Sequence, residues 1–305
     1  MMQYNLLVVL GATATGKTSL AVNLAKDFNG EIISADSRQI YRGMDLGTGK
    51  DIEEYVVDGV EIPYHLIDIA DAGYKYNVFE FQQDFVKAFE EISARKRLPV
   101  VCGGTGMYLE AVLKGYKLIA VPKDQGFRDE MEKKSIDELE EILRSYKDLH
   151  NTSDLETRKR AIRAIEIERY YAANPQIDME YPEMNPLLVG IKFDRESRRD
   201  RISLRLKERL KSGMVEEVES LLKSGVSAED LIYYGLEYKF LTQYVTGQIT
   251  YDEMYSGLEI AIHQFAKRQM TWFRKMERSG SNIHWLDGYM PLDEKIAQVK
   301  EWFNG

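Results

Sequence analysis

Cysteine is nearly absent from this chain. Cys102 stands alone, which excludes an intrachain disulfide, and four scattered histidines leave no way to write a Cys/His zinc cluster. No apolar run approaches the roughly 20 residues that span a bilayer. The opening residues, Met1-Met2-Gln3-Tyr4-Asn5, carry no basic segment, so no signal peptide is expected. Prolines number only 7, and neither a repeat nor a low-complexity tract interrupts the 305 residues. What remains is the composition of a soluble protein, 44% hydrophobic and 30% charged, with ample length for a core. A cytoplasmic monomer with no membrane partner is the expectation.

Positive charge is also in deficit: 41 Lys and Arg against 50 Asp and Glu give a net charge of −9. Alone, that argues against a nucleic-acid partner. The distribution argues otherwise. Acidic residues crowd 51–61 and 129–141, whereas basic ones crowd 158–169, 192–211 and 267–278. A local polyanion site fits on an acidic chain of this kind.

The N-terminal third alternates strand and helix. Strands are expected at 6–10, 31–35, 65–70 and 98–102, and helices at 18–28 and 79–95, by their hydrophobic periods. Alternation of this sort implies parallel βαβ units. Around residue 117 the pattern changes to charged helical sequence. Strand character returns at 187–193 and again at 283–286, with a last helix near 292–303. The expected architecture is an α/β, P-loop NTPase-like parallel sheet flanked by helices. Residues 1–115 and 186–305 form that core, and 116–185 form an inserted all-helical domain.

Gly11-Ala12-Thr13-Ala14-Thr15-Gly16-Lys17-Thr18 matches G-x-x-x-x-G-K-[ST] in full, between a buried strand and a helix. Its glycines let backbone N–H groups converge on phosphate oxygens, and the helix N-terminus adds partial positive charge. Lys17 can reach a terminal phosphate, and the Thr18 hydroxyl can join a Mg²⁺ shell. Ordinary P-loop nucleotidases place an aspartate at the end of an apolar strand. Here Leu98–Val101 runs into Cys102-Gly103-Gly104, and Asp68 is a poor substitute.

Asp36 closes the second strand, where a carboxylate can face the phosphate loop and take a proton from an attacking amine or hydroxyl. A turn or cap aspartate explains the spacing equally well. Thr105, in Gly103-Gly104-Thr105-Gly106, sits at another strand end, where a plain tight turn is the simpler reading. In the segment 267–278, Lys267, Thr271, Arg274 and Arg278 share one helical face, beside an apolar face of Ile262, Ala266, Met270 and Phe273. Arg158, Lys159, Arg160, Arg163 and Arg169 make a second basic patch. Either patch alone reads as solvated surface; two beside a phosphate site favour a large anionic substrate.

These motifs carry a resemblance. Besides the phosphate loop, they are Ser34 to Asp45 with Gly47, Thr48 and Lys50; His65-Leu66-Ile67-Asp68; Gly103 to Tyr108; Arg160 with Arg163 to Glu166; and Ala266 to Arg274. In that order, over nearly the whole chain, they resemble the bacterial-type tRNA dimethylallyltransferases, also called tRNA isopentenyltransferases. The resemblance implies that the loop Gly11 to Thr18 holds the diphosphate of dimethylallyl diphosphate with Mg²⁺, helped by Lys239. It implies that the prenyl group goes to N6 of the adenosine 3′-adjacent to the anticodon, flipped into a channel. Asp36 matches the general base, and Thr105 a hydrogen-bonding neighbour of the target base. Asp36, Ser37, Arg38, Gln39, Thr105, Arg128, Arg160, Arg163, Lys267, Arg268, Gln269, Thr271 and Arg274 match contacts to the tRNA anticodon stem-loop. Lys17 would neutralise the leaving diphosphate.

The chain departs from the family pattern at Glu156, Glu237 and His263, where Asn, Gly and Arg are usual. The rivals are a P-loop small-molecule or nucleotide kinase and a nucleotide-gated binding protein. The first predicts a short arginine lid, not a helical insertion of about 70 residues.

Overall fold

The computed structural model describes residues 4–116, 118–149, 153–174 and 181–305. They divide into two compact units, residues 1–116 with 181–305, and residues 117–180.

The first unit is built on a strand too apolar to face water. In β1 (Leu6–Gly11) every residue is buried. Leu6, Val8 and Leu10 enter the core on one face of the sheet, and Leu7 and Val9 the core on the other. Such two-sided burial requires helices on both faces, which is the condition for a parallel sheet. The further strands are β2 (Gly30–Ser34), a small hairpin of β3 (Val56–Val57) and β4 (Val60–Glu61), then β5 (Tyr64–His65), β6 (Leu98–Gly103), β7 (Pro186–Lys192) and β8 (Ile283–Asp287). The main sheet has the order β5-β2-β6-β1-β7-β8, parallel throughout. This is the P-loop NTPase-like arrangement. From β1 the chain moves outward to β2 and later returns to lay β6 between them. It then continues on the far side of β1, so the strand order reverses at the centre of the sheet. A crevice opens at the carboxyl ends of strands at such a switch point.

Helix α1 (Lys17–Asp27) follows β1 directly. Helix α2 (Val78–Ala94) starts at a capping box of Asn77 and Glu80 and buries Phe81, Phe85, Phe89 and Ile92. Helix α3 is Gly106–Leu113. The expected strand over 65–70 is much shorter, ending at His65. Leu66 and Asp68 have φ of 62° and 55°, in the left-handed region, and break the extended chain. Lys50 accounts for the bend. Its ammonium, on a side chain only 1% exposed, donates to Tyr41 O at 2.7 Å, to Asp45 Oδ1 at 2.6 Å and to Asp68.

In the second unit, α4 (Gln125–Met131), α5 (Ile136–Tyr146) and α6 (Arg158–Ala173) pack around Met131, Leu139, Leu143, Ile162 and Ile165. Beyond β7 the first unit adds α7 (Arg195–Lys211), α8 (Met214–Lys223), α9 (Ala228–Tyr234), α10 (Leu236–Val245), α11 (Tyr251–Arg278) and α12 (Leu292–Asn304). Among the described residues no helix is long and apolar enough to cross a membrane.

Candidate active site

The register of three strands decides what meets. Ser34 of β2 lies opposite Cys102 of β6, and Val9 of β1 also pairs with Cys102. The segments that leave these strands are therefore neighbours: Asp36 after β2, Gly104-Thr105 after β6, and the loop 11–18 after β1. Ala35 N donates to Cys102 O at 2.8 Å and Thr105 N to Ala35 O at 3.3 Å. Such close approach demands glycine at 103, where a Cβ would stand 2.4 Å from Ala35 O.

A cleft of about 600 Å³ opens above these ends, lined among others by Thr13, Lys17, Thr18, Asp36, Arg38, Gln39, Lys239 and Arg268. Asp36 is both a turn residue and a cleft residue, since its Oδ1 accepts from Arg38 N at 2.9 Å. Thr105 Oγ1 accepts from Ser37 N at 3.2 Å, which holds the backbone beside Asp36. Lys17 Nζ donates to Ala12 O at 2.7 Å. Burial lowers its pKa to about 8, against the pull of Cys102 and Asp36 in the other direction. The Cys102 thiol, in the same wall, is pushed up to about 12 by burial. It occupies the strand end where a P-loop nucleotidase keeps its metal-organising aspartate, and at neutral pH it is uncharged.

Gln269 of α11 lines the same cleft. By resemblance it belongs with the tRNA contacts, next to the exposed Arg268. It faces inward, 6% exposed, with both ends of its amide engaged: Oε1 accepts from Thr13 N at 2.9 Å, and Nε2 donates to Gly104 O at 2.9 Å. One side chain of α11 thus ties the phosphate loop to the glycine turn. Lys267, Thr271 and Arg274 lie on the exposed outer face of the same helix and do not line the cleft.

The second unit holds Arg128, Arg160 and Arg163. Arg128 makes a fork on Glu166, Nε to Oε1 at 2.9 Å and Nη2 to Oε2 at 2.6 Å. Arg163 also bonds Glu166, and Asp124 N donates to it at 2.8 Å. Burial alone would raise the Glu166 pKa, but these donors bring it down to about 2. Arg160 pairs with Glu156, the residue that stands in place of the family's asparagine. In the other departures, Glu237 lines the cleft and His263 Nε2 lies 3.5 Å from Ser203 Oγ.

Sequence reasoning missed two cleft residues on α7, Arg205 and Arg209. Their spacing of four was visible but sat within a run of many charges. It named Glu237 as a departure from the family pattern but did not place it in the cleft. Burial raises its pKa to about 6 even with Arg209 and Arg205 nearby.

The family model described as IPP transferase matches residues 39–276, and one described as isopentenyl transferase matches residues 4–63. The chain belongs to the IPP transferase family. A tRNA dimethylallyltransferase 2 of Bacteroides fragilis is 62% identical over 301 residues, covering 99% of this chain and 98% of the relative. The crystal structure of the full-length tRNA isopentenylpyrophosphate transferase from Bacillus halodurans superposes with a TM-score of 0.72 at 31% identity, covering 98% of this chain and 95% of that one. A eukaryotic dimethylallyltransferase acting on tRNA shares the fold, with a TM-score of 0.79 at 20% identity over 97% of this chain and 79% of that one.

Proposed function

We infer that the protein is a tRNA dimethylallyltransferase. It transfers the dimethylallyl group from dimethylallyl diphosphate to N6 of the adenosine 3′-adjacent to the anticodon, releasing diphosphate. The observation that carries this reading is that Asp36 and Lys17 line one cleft. A base for an amine and a cation for a leaving phosphate are the two ends of such a reaction. A carboxylate that accepts a hydroxyl proton would serve a kinase as well, so what favours prenyl transfer over phosphoryl transfer is that the relatives are named dimethylallyltransferases and not kinases.

In the proposed reaction, N6 attacks C1 of the prenyl group, the C1–O bond breaks, and its electron pair leaves on the diphosphate. Asp36 takes the N6 proton, which an exocyclic aromatic amine needs because it is a weak nucleophile. Lys17, the N–H groups of residues 14–18 and Lys239 stabilise the charge developing on the diphosphate. Thr105 orients the backbone at Asp36. Arg38 and Gln39, which line the cleft with Asp36, would stand beside the flipped base.

The site fits a magnesium ion held largely by substrate. Among the described residues no three carboxylates, histidines or cysteines form a metal cluster. The hydroxyl of Thr18, beside the phosphate loop, is the oxygen donor offered. One or two protein oxygens with substrate phosphates and water are the usual shell of Mg²⁺. Bound there, Mg²⁺ would offset negative charge on the diphosphate. The tRNA would lie along Lys267, Arg268, Thr271 and Arg274, with Arg128, Arg160 and Arg163 of the helical unit as further contacts. Incubation with unmodified tRNA and labelled dimethylallyl diphosphate tests the reading. Label should appear in the RNA, and turnover of ATP without RNA labelling would replace this reading with the kinase.

A further inference from the structure

The pairing of β1 with β6 stops at Leu10 and Gly103. Beyond it one chain turns into the phosphate loop and the other into the glycine turn. A single side-chain amide fills the step that the ladder leaves. Gln269 Oε1 accepts from Thr13 N and Gln269 Nε2 donates to Gly104 O, both at 2.9 Å. The amide thus takes the place of the next peptide group. Its room is reserved, since a Cβ on Gly104 would lie 2.3 Å from Nε2 and 3.1 Å from Gly11 O. Few side chains can make both bonds. Asparagine is one methylene shorter. Glutamate could accept from Thr13 but would meet Gly104 O with no proton to give, and lysine could donate to Gly104 O but would leave the Thr13 N–H unmatched. A buried polar group left unmatched costs its full desolvation.

Each bond belongs to a different half of the cleft. On the phosphate side, Ala12 O, next to Thr13, accepts from Lys17 Nζ at 2.7 Å and from Thr15 Oγ1 at 2.9 Å. A shift at Thr13 therefore moves the resting place of the lysine that meets the diphosphate. On the other side, Thr105 follows Gly104 directly. Its N–H donates to Ala35 O at 3.3 Å and its Oγ1 accepts from Ser37 N at 3.2 Å, so both neighbours of Asp36 hang on the turn. Gln269 is itself fixed from behind. Ala266, Met270 and Phe273 of the same helix are buried. Trp272 packs so closely on the start of α3 that a Cβ on Gly106 would stand 2.4 Å from its ring.

We propose that Gln269 is a positioning residue for the transfer step. Its amide fixes the gap between the loop that holds the diphosphate and the turn on which Asp36 hangs. It thereby sets the distance that N6 and the prenyl carbon must close. In this role it touches neither substrate and acts through Thr13 and Gly104. The paired strands below already bring the two halves near. Loss of the amide therefore leaves the sheet and each binding surface in place and loosens the register between them. Transfer is sensitive to that register, because a misplacement of about 1 Å between reacting groups can cost ~10²-fold in rate. The proposal rests on the prenyl-transfer reading for what crosses the gap.

Gln269→Met in the full chain keeps side-chain length and helix propensity and removes both bonds. Its single-turnover rate, with tRNA and dimethylallyl diphosphate both saturating, should fall about 10- to 100-fold. The dissociation constants for unmodified tRNA and for pyrophosphate with Mg²⁺, each titrated alone, should stay within about threefold of wild type. Hydrogen–deuterium exchange should speed in residues 11–18 and 103–106, whatever group the protein transfers. If thermal melts show Gln269→Met unfolding well below wild type, Gln269→Asn, shorter but still polar, carries the same test. A rate close to wild type in a variant that melts as wild type overturns the proposal. So does a variant whose tRNA and pyrophosphate affinities fall in step with its rate, since Gln269 would then only support the fold. Unchanged exchange in both segments overturns it as well. A wild-type chain that puts no label into RNA sinks the prenyl-transfer reading, and exchange alone then decides whether the amide holds the two halves in register.

Discussion

Lys17 makes the enzyme's alkaline limit calculable. Desolvation brings its ammonium down to about 8 in the free protein, with Arg205 lowering it further and Asp36 opposing. Below that value the lysine is charged and can meet a diphosphate; above it the charge is lost. The substrate contributes no competing step there, because phosphate esters complete their second ionisation near ~6. One unit above its pKa only about a tenth of the lysine is protonated, so kcat/KM for dimethylallyl diphosphate should fall roughly tenfold per pH unit beyond that point. The free enzyme governs kcat/KM, whereas bound diphosphate holds the proton on Lys17, so the limb in kcat must lie at higher pH. Lys17→Arg supplies the control. A guanidinium does not titrate in this range, so the limb should vanish even as the absolute rate drops. Initial rates of label transfer at saturating tRNA from pH 6.5 to 10 give both curves. A flat kcat/KM across that range, or an alkaline limb that persists in Lys17→Arg, would refute the reasoning.

Other perturbations separate the parts of the site. Asp36→Ala should slow single-turnover transfer by ~10²–10⁴ with tRNA affinity nearly intact; rates within threefold of wild type would remove Asp36 from proton transfer. Changing Lys267 and Arg274 together to Ala should flatten the slope of log tRNA affinity against log salt by about one to two units and weaken all tRNA substrates alike. An unchanged slope would make that helical face ordinary surface. Glu31, 3% exposed, accepts from Arg95 at 3.0 and 2.7 Å and from His65 at 2.7 Å. Burial alone would raise its pKa, but these donors depress it from 4.5 to about 2. The fold therefore favours the ionised form, and this stability is complete above the ordinary carboxylate value and drains away as pH falls from 4.5 towards 2. Glu31→Gln should cost about 3 kcal/mol at pH 7 and much less at pH 3. Urea midpoints measured at both pH values check this, and equal losses at the two would contradict it.

The phosphate loop was legible because its motif fixes backbone geometry locally, between an apolar strand and an amphipathic helix. The outer stripe of α11 was legible for a similar reason, since period alone assigns its faces. The limits appear where distant partners decide. Nothing near Leu66 and Asp68 announces left-handed backbone; the bend follows from buried Lys50, which reaches Asp68 across 18 positions. Gln269 sits between Arg268 and Met270 and looks like a surface polar residue. Its burial depends on Thr13, 256 residues away in sequence. Arg205 and Arg209 carried a local signal, one turn apart on one face. It was lost because α7 also carries Arg195, Arg198, Arg199, Arg201 and Lys207, and only the fold shows which of these turn towards the phosphate loop.

Helix α11 leaves evolution little freedom in its length. It presents Gln269 inward to the phosphate loop and Lys267, Thr271 and Arg274 outward. Each added residue turns everything beyond it by about 100° and advances it by about 1.5 Å. One residue inserted between Leu258 and Ala266 would carry Gln269 off Thr13 and Gly104 and rotate the basic stripe away from its present face in the same stroke. Substitutions along this helix can be judged one at a time; a frame-preserving insertion or deletion cannot, because it resets the inner and outer surfaces together. Length variation among working relatives should therefore fall in the loops that flank α11, with the helix itself kept in register.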